Sequence, residues 1–146
     1  MLSLTVDYAL RAVVHLADQA PAGRTTDEIA EITRVPKAYL SKVLQALGRA
    51  GIVESHRGVG GGMKLTRDPQ QLTILDVVNA VEPINRIRTC PLGLPKHSRR
   101  LCPLHSRLDK ALAMVEDAFR RTTLAEILAE PTKSPPLCEV IQVGRK

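Results

Sequence analysis

Aromatic residues are nearly missing from this chain, which has no tryptophan, one phenylalanine and two tyrosines among 146 residues. Readers of single-stranded nucleic acid and RNA stack bases on aromatic side chains, so the composition argues against that class. Long apolar runs are missing too. Nothing approaches the ~18 residues of a membrane span, and the apolar cluster near the start is interrupted by Asp7, Arg11, His15 and Asp18. No membrane partner, no signal peptide and a cytoplasmic location are therefore expected. Cysteine is scarce and odd in number, at three, which argues against a disulfide framework and points to metal or redox chemistry. The chain also lacks a nucleophile–base set, paired carboxylates and a cofactor loop, so no enzyme is expected. A thiol oxidoreductase is the only chemistry left to consider, and Cys90 and Cys102 do not form the Cys-x-x-Cys pair it would want.

Positive charge and apolar content are what the chain does have. Its net charge is +6, with an isoelectric point near 9.6, which suits a polyanionic partner. Basic residues cluster between Lys37 and Arg57 and again between Arg86 and Lys110. An apolar fraction of 44% supports a core, and the length allows a small domain plus a dimerisation element.

Periodicity predicts a helix over 2–19, with Val6, Leu10, Val13, Val14 and Ala17 on one side. Thr25 and Glu28 form a capping-box pattern opening a helix over 26–33 that carries Ile29 and Ile32 inward. Pro36 suits the first turn of a third helix, and Gly51 its C-terminal stop. In that helix Leu40, Val43, Leu44 and Leu47 fall at i, i+3, i+4 and i+7, one apolar stripe for a core. Ala38, Ser41, Lys42, Gln45 and Arg49 point the other way. This small, polar, basic face fits a major groove.

Two short strands follow over 52–56 and 63–66, joined by a glycine-rich turn that presents Arg57 and Gly58. Together they make a wing beside a helix–turn–helix, the pattern of a DNA reader. The glycine run lacks the Gly-Lys-Ser/Thr ending of a nucleotide-binding P-loop. Thr73 and Asp76 cap a helix over 73–82. Residues 83–103 form a long irregular stretch rich in Pro, Arg and Cys, of the kind that carries function. Over 104–121 a regular stripe of Leu104, Leu108, Leu112, Val115 and Phe119 suggests helix pairing between subunits. The alternative is packing on its own domain. A short helix closes the order at 123–130.

The expected fold is mainly α with a small β wing. It divides into a winged helix–turn–helix DNA-binding domain over 1–82, a cysteine-containing sensor loop over 83–103, a dimerisation helix and short C-terminal helix over 104–130, and a flexible tail over 131–146.

Several segments together resemble a family of winged-helix transcription regulators, the one that includes IscR, NsrR and RirA. They are LTVDYALRAVVHLA, VPKAYLSKVLQALGRAGIVES, RGVGGGMKL, TILDVVNAVE and TTLAEI, in that order. The resemblance implies a homodimeric regulator, acting chiefly as a repressor, on a roughly palindromic double-stranded DNA operator. It places base reading at Ala38 and Ser41 and the wing arginine at Arg57. Ala38 offers only a methyl group, and Ser41 has little base preference. Arg57 suits the potential of a narrow minor groove. Lys37, Tyr39 and Lys42 are better suited to phosphates.

Relatives that carry an iron–sulfur cluster show Cys-x5-Cys-x5-Cys with a histidine three residues after the last. Cys90, Cys102 and His105 keep the outer positions, but Lys96 occupies the middle one, and an ammonium cannot ligate iron. Three readings stay open. In one, Cys90 and Cys102 hold a cluster, [2Fe–2S] ahead of [4Fe–4S], with His105 or His97 as a further ligand and Asp7 of the other subunit's first helix completing the set. The cluster would then sense redox state, iron or nitric oxide. In the second, Cys90, His97, Cys102 and His105 bind zinc. In the third there is no metal, and the cysteines are packed thiols or a thiol sensor. Cys138 reads as a free thiol in the tail, and His15 and His56 as structural or DNA-adjacent.

Overall fold

The architecture follows from where the apolar side chains can be hidden together. The structure, a computed structural model, describes residues 2–97 and 99–137. Its order is α1 (Leu4–Gln19), α2 (Thr26–Thr33), α3 (Lys37–Arg49), β1 (Val53–His56), β2 (Gly62–Leu65) and α4 (Ile74–Val81). A short 3-10 turn (Pro95–His97) leads to α5 (Pro103–Arg121) and α6 (Leu124–Ala129). This is the winged-helix fold expected from the sequence. Cys138 and the rest of the chain beyond Leu137 lie outside the described residues.

Three helices open on the same device. Thr25, Thr73 and Thr123 each accept a bond from the backbone N–H three residues on, where Glu28, Asp76 and Glu126 bond back to the cap. At the other end of α3, Gly51 follows the C-cap Ala50 with φ +72°, a left-handed conformation that favours glycine. The α2 terminus reaches the same region with Arg34, at φ 56°.

The core lies between α1, α3 and α4, with Leu40, Val43, Leu44 and Leu47 buried as their spacing predicts. α1 departs from a one-sided stripe. Val6, Ala9 and the unbroken run Ala12–Ala17 are all buried, because α2, α3, α4, α6 and β2 surround the helix. Leu124 and Leu137 bring the C-terminal segment back onto this core.

The wing is a two-stranded antiparallel sheet pairing Val53 with Leu65 and His56 with Gly62. Its root is clamped to the α1–α2 connection, where Arg24 and Met63 exchange backbone hydrogen bonds of 3.0 and 2.6 Å. Gly62 has φ +106°, and a Cβ there would sit 2.5 Å from the Arg24 carbonyl oxygen, so only glycine fits this crossing.

Candidate nucleic-acid interface

The sequence places Ala38, Ser41, Lys42, Gln45 and Arg49 opposite the apolar stripe of α3, and all five are exposed in the structure. Ser41 donates its hydroxyl proton to the Lys37 carbonyl one turn back, at 3.1 Å. Its oxygen lone pairs remain free, so towards a base edge it acts as an acceptor. Lys37 pairs with Asp27 of α2 at 2.7 Å, with both side chains well exposed. A surface pair of this kind is worth less than about 1 kcal/mol and exchanges readily for a phosphate.

Tyr39 leaves 57% of its surface exposed, yet it is not free to wander. Its ring lies 6.1 Å from that of Tyr8 on α1, tilted by 56°. The Arg11 guanidinium stands 5.6 Å from the centre of the Tyr8 ring. Arg11 also donates to the Thr33 carbonyl at the end of α2 and pairs with Asp7 at 2.5 Å. One cluster thus fixes the first turns of α3 against α1 and α2. Sequence reasoning missed it, although Tyr8 and Arg11 share a helix face.

Arg57 and Gly58 follow β1 directly, in the five-residue turn between the strands. Both are exposed, and among the described residues no carboxylate lies within 4 Å of Arg57. Lys42 and Arg49 share that condition. The root of the turn is tight, because a Cβ at Gly61 would meet the His56 carbonyl oxygen at 2.5 Å. The helix and the wing therefore present three cations with no acid beside them, an arrangement suited to phosphates and groove edges.

Past α4 the chain is pinned before it becomes irregular. Arg86 reaches across to α5 and grips Asp109 with two hydrogen bonds of 2.7 Å, while Asp109 also accepts from the Ile87 N–H at 2.9 Å. These bonds, the Arg86 side chain's first, hold the Asp109 carboxyl down at about 2. The pairing joins residues 23 apart and left no periodic signal in the sequence.

The cysteines separate into two pairs. Cys90 Sγ lies 3.7 Å from His97 Nδ1, and Cys102, the N-cap of α5, lies 3.3 Å from His105 Nδ1. The backbone of Leu94, followed by His97, lowers the Cys90 thiol to about 7. Among the described residues no three His, Cys, Asp or Glu side chains gather closely enough to hold a metal ion. Lys96 is exposed, and Asp7 is engaged by Arg11. Among the described residues Cys90, Cys102 and His105 are thus not gathered into one ligand set, and by themselves these donors do not fit a cluster or a zinc ion there.

α5 contributes no buried residue. Leu112, Val115 and Phe119 line a cleft of about 460 Å³ beside α1 and α4, Val115 at its half-exposed edge, whereas Leu104, Leu108 and Met114 are exposed. Among the described residues no helix is long and apolar enough to cross a membrane.

The sequence profile of the Rrf2 family, described as iron-dependent transcriptional regulators, matches residues 2–130. A protein of Aquifex aeolicus (strain VF5), described as an HTH-type transcriptional regulator, is 29% identical over 131 residues, covering 88% of this chain and 91% of that protein. Among solved structures, IscR of T. potens superposes with a TM-score of 0.73 at 22% identity, over 92% of this chain and 93% of its own. CymR of B. subtilis, named as that organism's global cysteine regulator, gives 0.71 at 23% identity, over 87% and 95%. These likenesses show the fold, and IscR and CymR share it alike.

Proposed function

The chain belongs to the Rrf2 family of transcriptional regulators, and from that premise we propose that it is a homodimeric repressor of a roughly palindromic operator. As a member of that family it is a DNA-binding regulator and not an enzyme. The observation that carries the finer reading is the exposed face of α3 beside a wing whose Arg57 has, among the described residues, no carboxylate within 4 Å. Each α3 enters a major groove, and the two half-sites lie about one helical turn, or a multiple of it, apart. Ser41 accepts from a base donor such as the amino group of cytosine or adenine. Ala38 contributes methyl contact, and Lys37, Tyr39, Lys42 and Gln45 meet the backbone or groove wall. Arg57, with Gly58 allowing close approach, enters the minor groove. The exposed apolar residues of α5 supply the dimer contact.

Binding of the native protein to a fragment from upstream of its own gene tests this reading. Arg57→Ala weakens that binding by about 1–3 kcal/mol. Unchanged affinity at moderate salt removes Arg57 from the interface.

The thiol–imidazole pairs favour one way of sensing over the others. Cluster or zinc sensing needs a ligand set that the described residues of one chain do not gather, whereas Cys90 already has a thiol lowered to about 7 beside His97. The reading supported is a regulator that senses through its thiols. Alkylation of Cys90 by iodoacetamide then rises with pH through about 7, and His97→Ala moves the midpoint up. A midpoint near the ordinary thiol value of about 8.5, or stoichiometric iron and sulfide in anaerobically purified protein, overturns it.

A further inference from the structure

The net charge of this protein does not come from its winged-helix region taken as a whole. Residues 1–82 hold nine Lys or Arg and nine Asp or Glu, and residues 111–146 hold five of each. Residues 83–110 hold seven Lys or Arg against a single acid, Asp109, so this segment accounts for the whole net charge of +6. Asp109 neutralises only Arg86, its bidentate partner. Arg88, Lys96, Arg99, Arg100, Arg107 and Lys110 are all exposed, and among the described residues none has a carboxylate within 4 Å. A winged-helix region whose charges balance, the basic face of α3 included, adds less long-range attraction to a polyanion than this segment does.

Its position suits that role. The Ser3 hydroxyl, which caps α1, bonds Glu82 at the end of α4, so the basic segment leaves the body beside the start of α1. Just over one turn further along α1, Tyr8 meets Tyr39 in the first turn of α3. The Arg86–Asp109 grip then holds the segment against α5. It begins close to the start of α1, the helix whose following turn meets the first turn of α3.

We propose that the α4–α5 connection and the first turns of α5 form a second DNA surface, one that binds backbone phosphates without reading sequence. In this division α3 and the wing select the site, while the basic segment supplies most of the affinity common to all DNA. The proposal rests on the operator-binding reading above and adds a surface to it.

Salt dependence tests it directly, because each phosphate contact contributes about 0.9 to the slope of log affinity against log salt. The probe is a labelled 30-base-pair duplex of random sequence, titrated with the intact protein between roughly 50 and 200 mM salt, the range over which counterion release is read. The variant Arg88→Gln/Arg99→Gln/Arg100→Gln is expected to flatten the slope by about 2–3, and to weaken random and promoter duplexes alike. The single variants Arg99→Gln and Arg100→Gln, which guard against a disturbed fold, each flatten it by about 0.9. A control of equal charge change, Arg120→Gln/Arg121→Gln/Lys133→Gln, keeps the native slope. A native slope in the triple loop variant overturns the proposal and reassigns the charges to another partner, such as an acidic protein. Equal flattening in loop variant and control overturns it too, by showing a general field rather than a surface. If the native protein binds neither duplex, the operator-binding reading falls first.

Discussion

α1 spans 16 residues and buries eight of them, whereas α5 spans 19 residues and buries none. Both are amphipathic, and both carry enough Leu, Val and Ala to join a core. The difference lies in what surrounds them. α1 is enclosed by α2, α3, α4, α6 and β2, while α5 touches chiefly α4 and leaves Met114 74% and Leu104 62% exposed. Exposed apolar surface forgoes about 25 cal/mol for each Å² that burial would remove from water. The contrast teaches that α1 is enclosed by its own chain, while α5 keeps an apolar face that its own chain leaves uncovered, the face the proposed dimer would use.

Truncation should separate the two helical environments most sharply. Leu47→Ala in the core beside α1 is expected to lower unfolding stability by about 2–5 kcal/mol in urea melts. Met114→Ala on α5 is expected to change it by less than about 0.5 kcal/mol in dilute protein, while raising the concentration at which sedimentation shows dimers. Equal losses in the two melts would break the comparison, because α5 would then be part of the monomer core.

A smaller effect probes the enclosure of α1 from within. His15 is 4% exposed, and among the described residues neither ring nitrogen has a hydrogen-bond partner. Burial, and then the nearby Arg24 charge, lower its pKa, against the opposing pull of Asp18 and Glu28. Protons therefore bind the unfolded chain first, near pH 6.5, and the folded ring only at lower pH. Stability should fall as pH drops through 6.5, by up to about 1.4 kcal/mol per pH unit, and level off below the folded value. Denaturant melts at several pH values check this, and His15→Leu should flatten the profile. Parallel profiles for the two proteins would mean that the ring is not enclosed as described.

Much of the body is legible in the sequence, for physical reasons that also mark where legibility ends. The threonine caps of α2 and α4, the buried stripe of α3 and the stop at Gly51 are local signals, set within a few residues of where they act. The Thr123–Glu126 box is as local as the other two. By contrast, the burial all round α1 over Ala12–Ala17 hides behind Ala9, Ala12 and His15, whose small or polar side chains give no stripe. The Arg86–Asp109 grip and the Tyr8–Tyr39 contact join distant positions, so no spacing rule reaches them. The exposed face of α3 was legible because it is the complement of a stripe. The separation of the cysteines into two histidine-paired thiols was not, because residue spacing alone does not say which imidazole each sulfur meets.

The clamp at the base of the wing has a consequence for how this scaffold can change. Gly61 and Gly62 abut backbone that cannot give way, whereas Val59 stands fully in solvent and Gly58 and Gly60 have open space around them. The hairpin therefore behaves as a fixed socket with an exchangeable tip. Residues inserted around Val59 would alter what the wing touches without loosening the joint through which Arg24 holds Met63. Over evolutionary time, or in the laboratory, retuning to a new target can proceed at the tip while the fulcrum stays as it is.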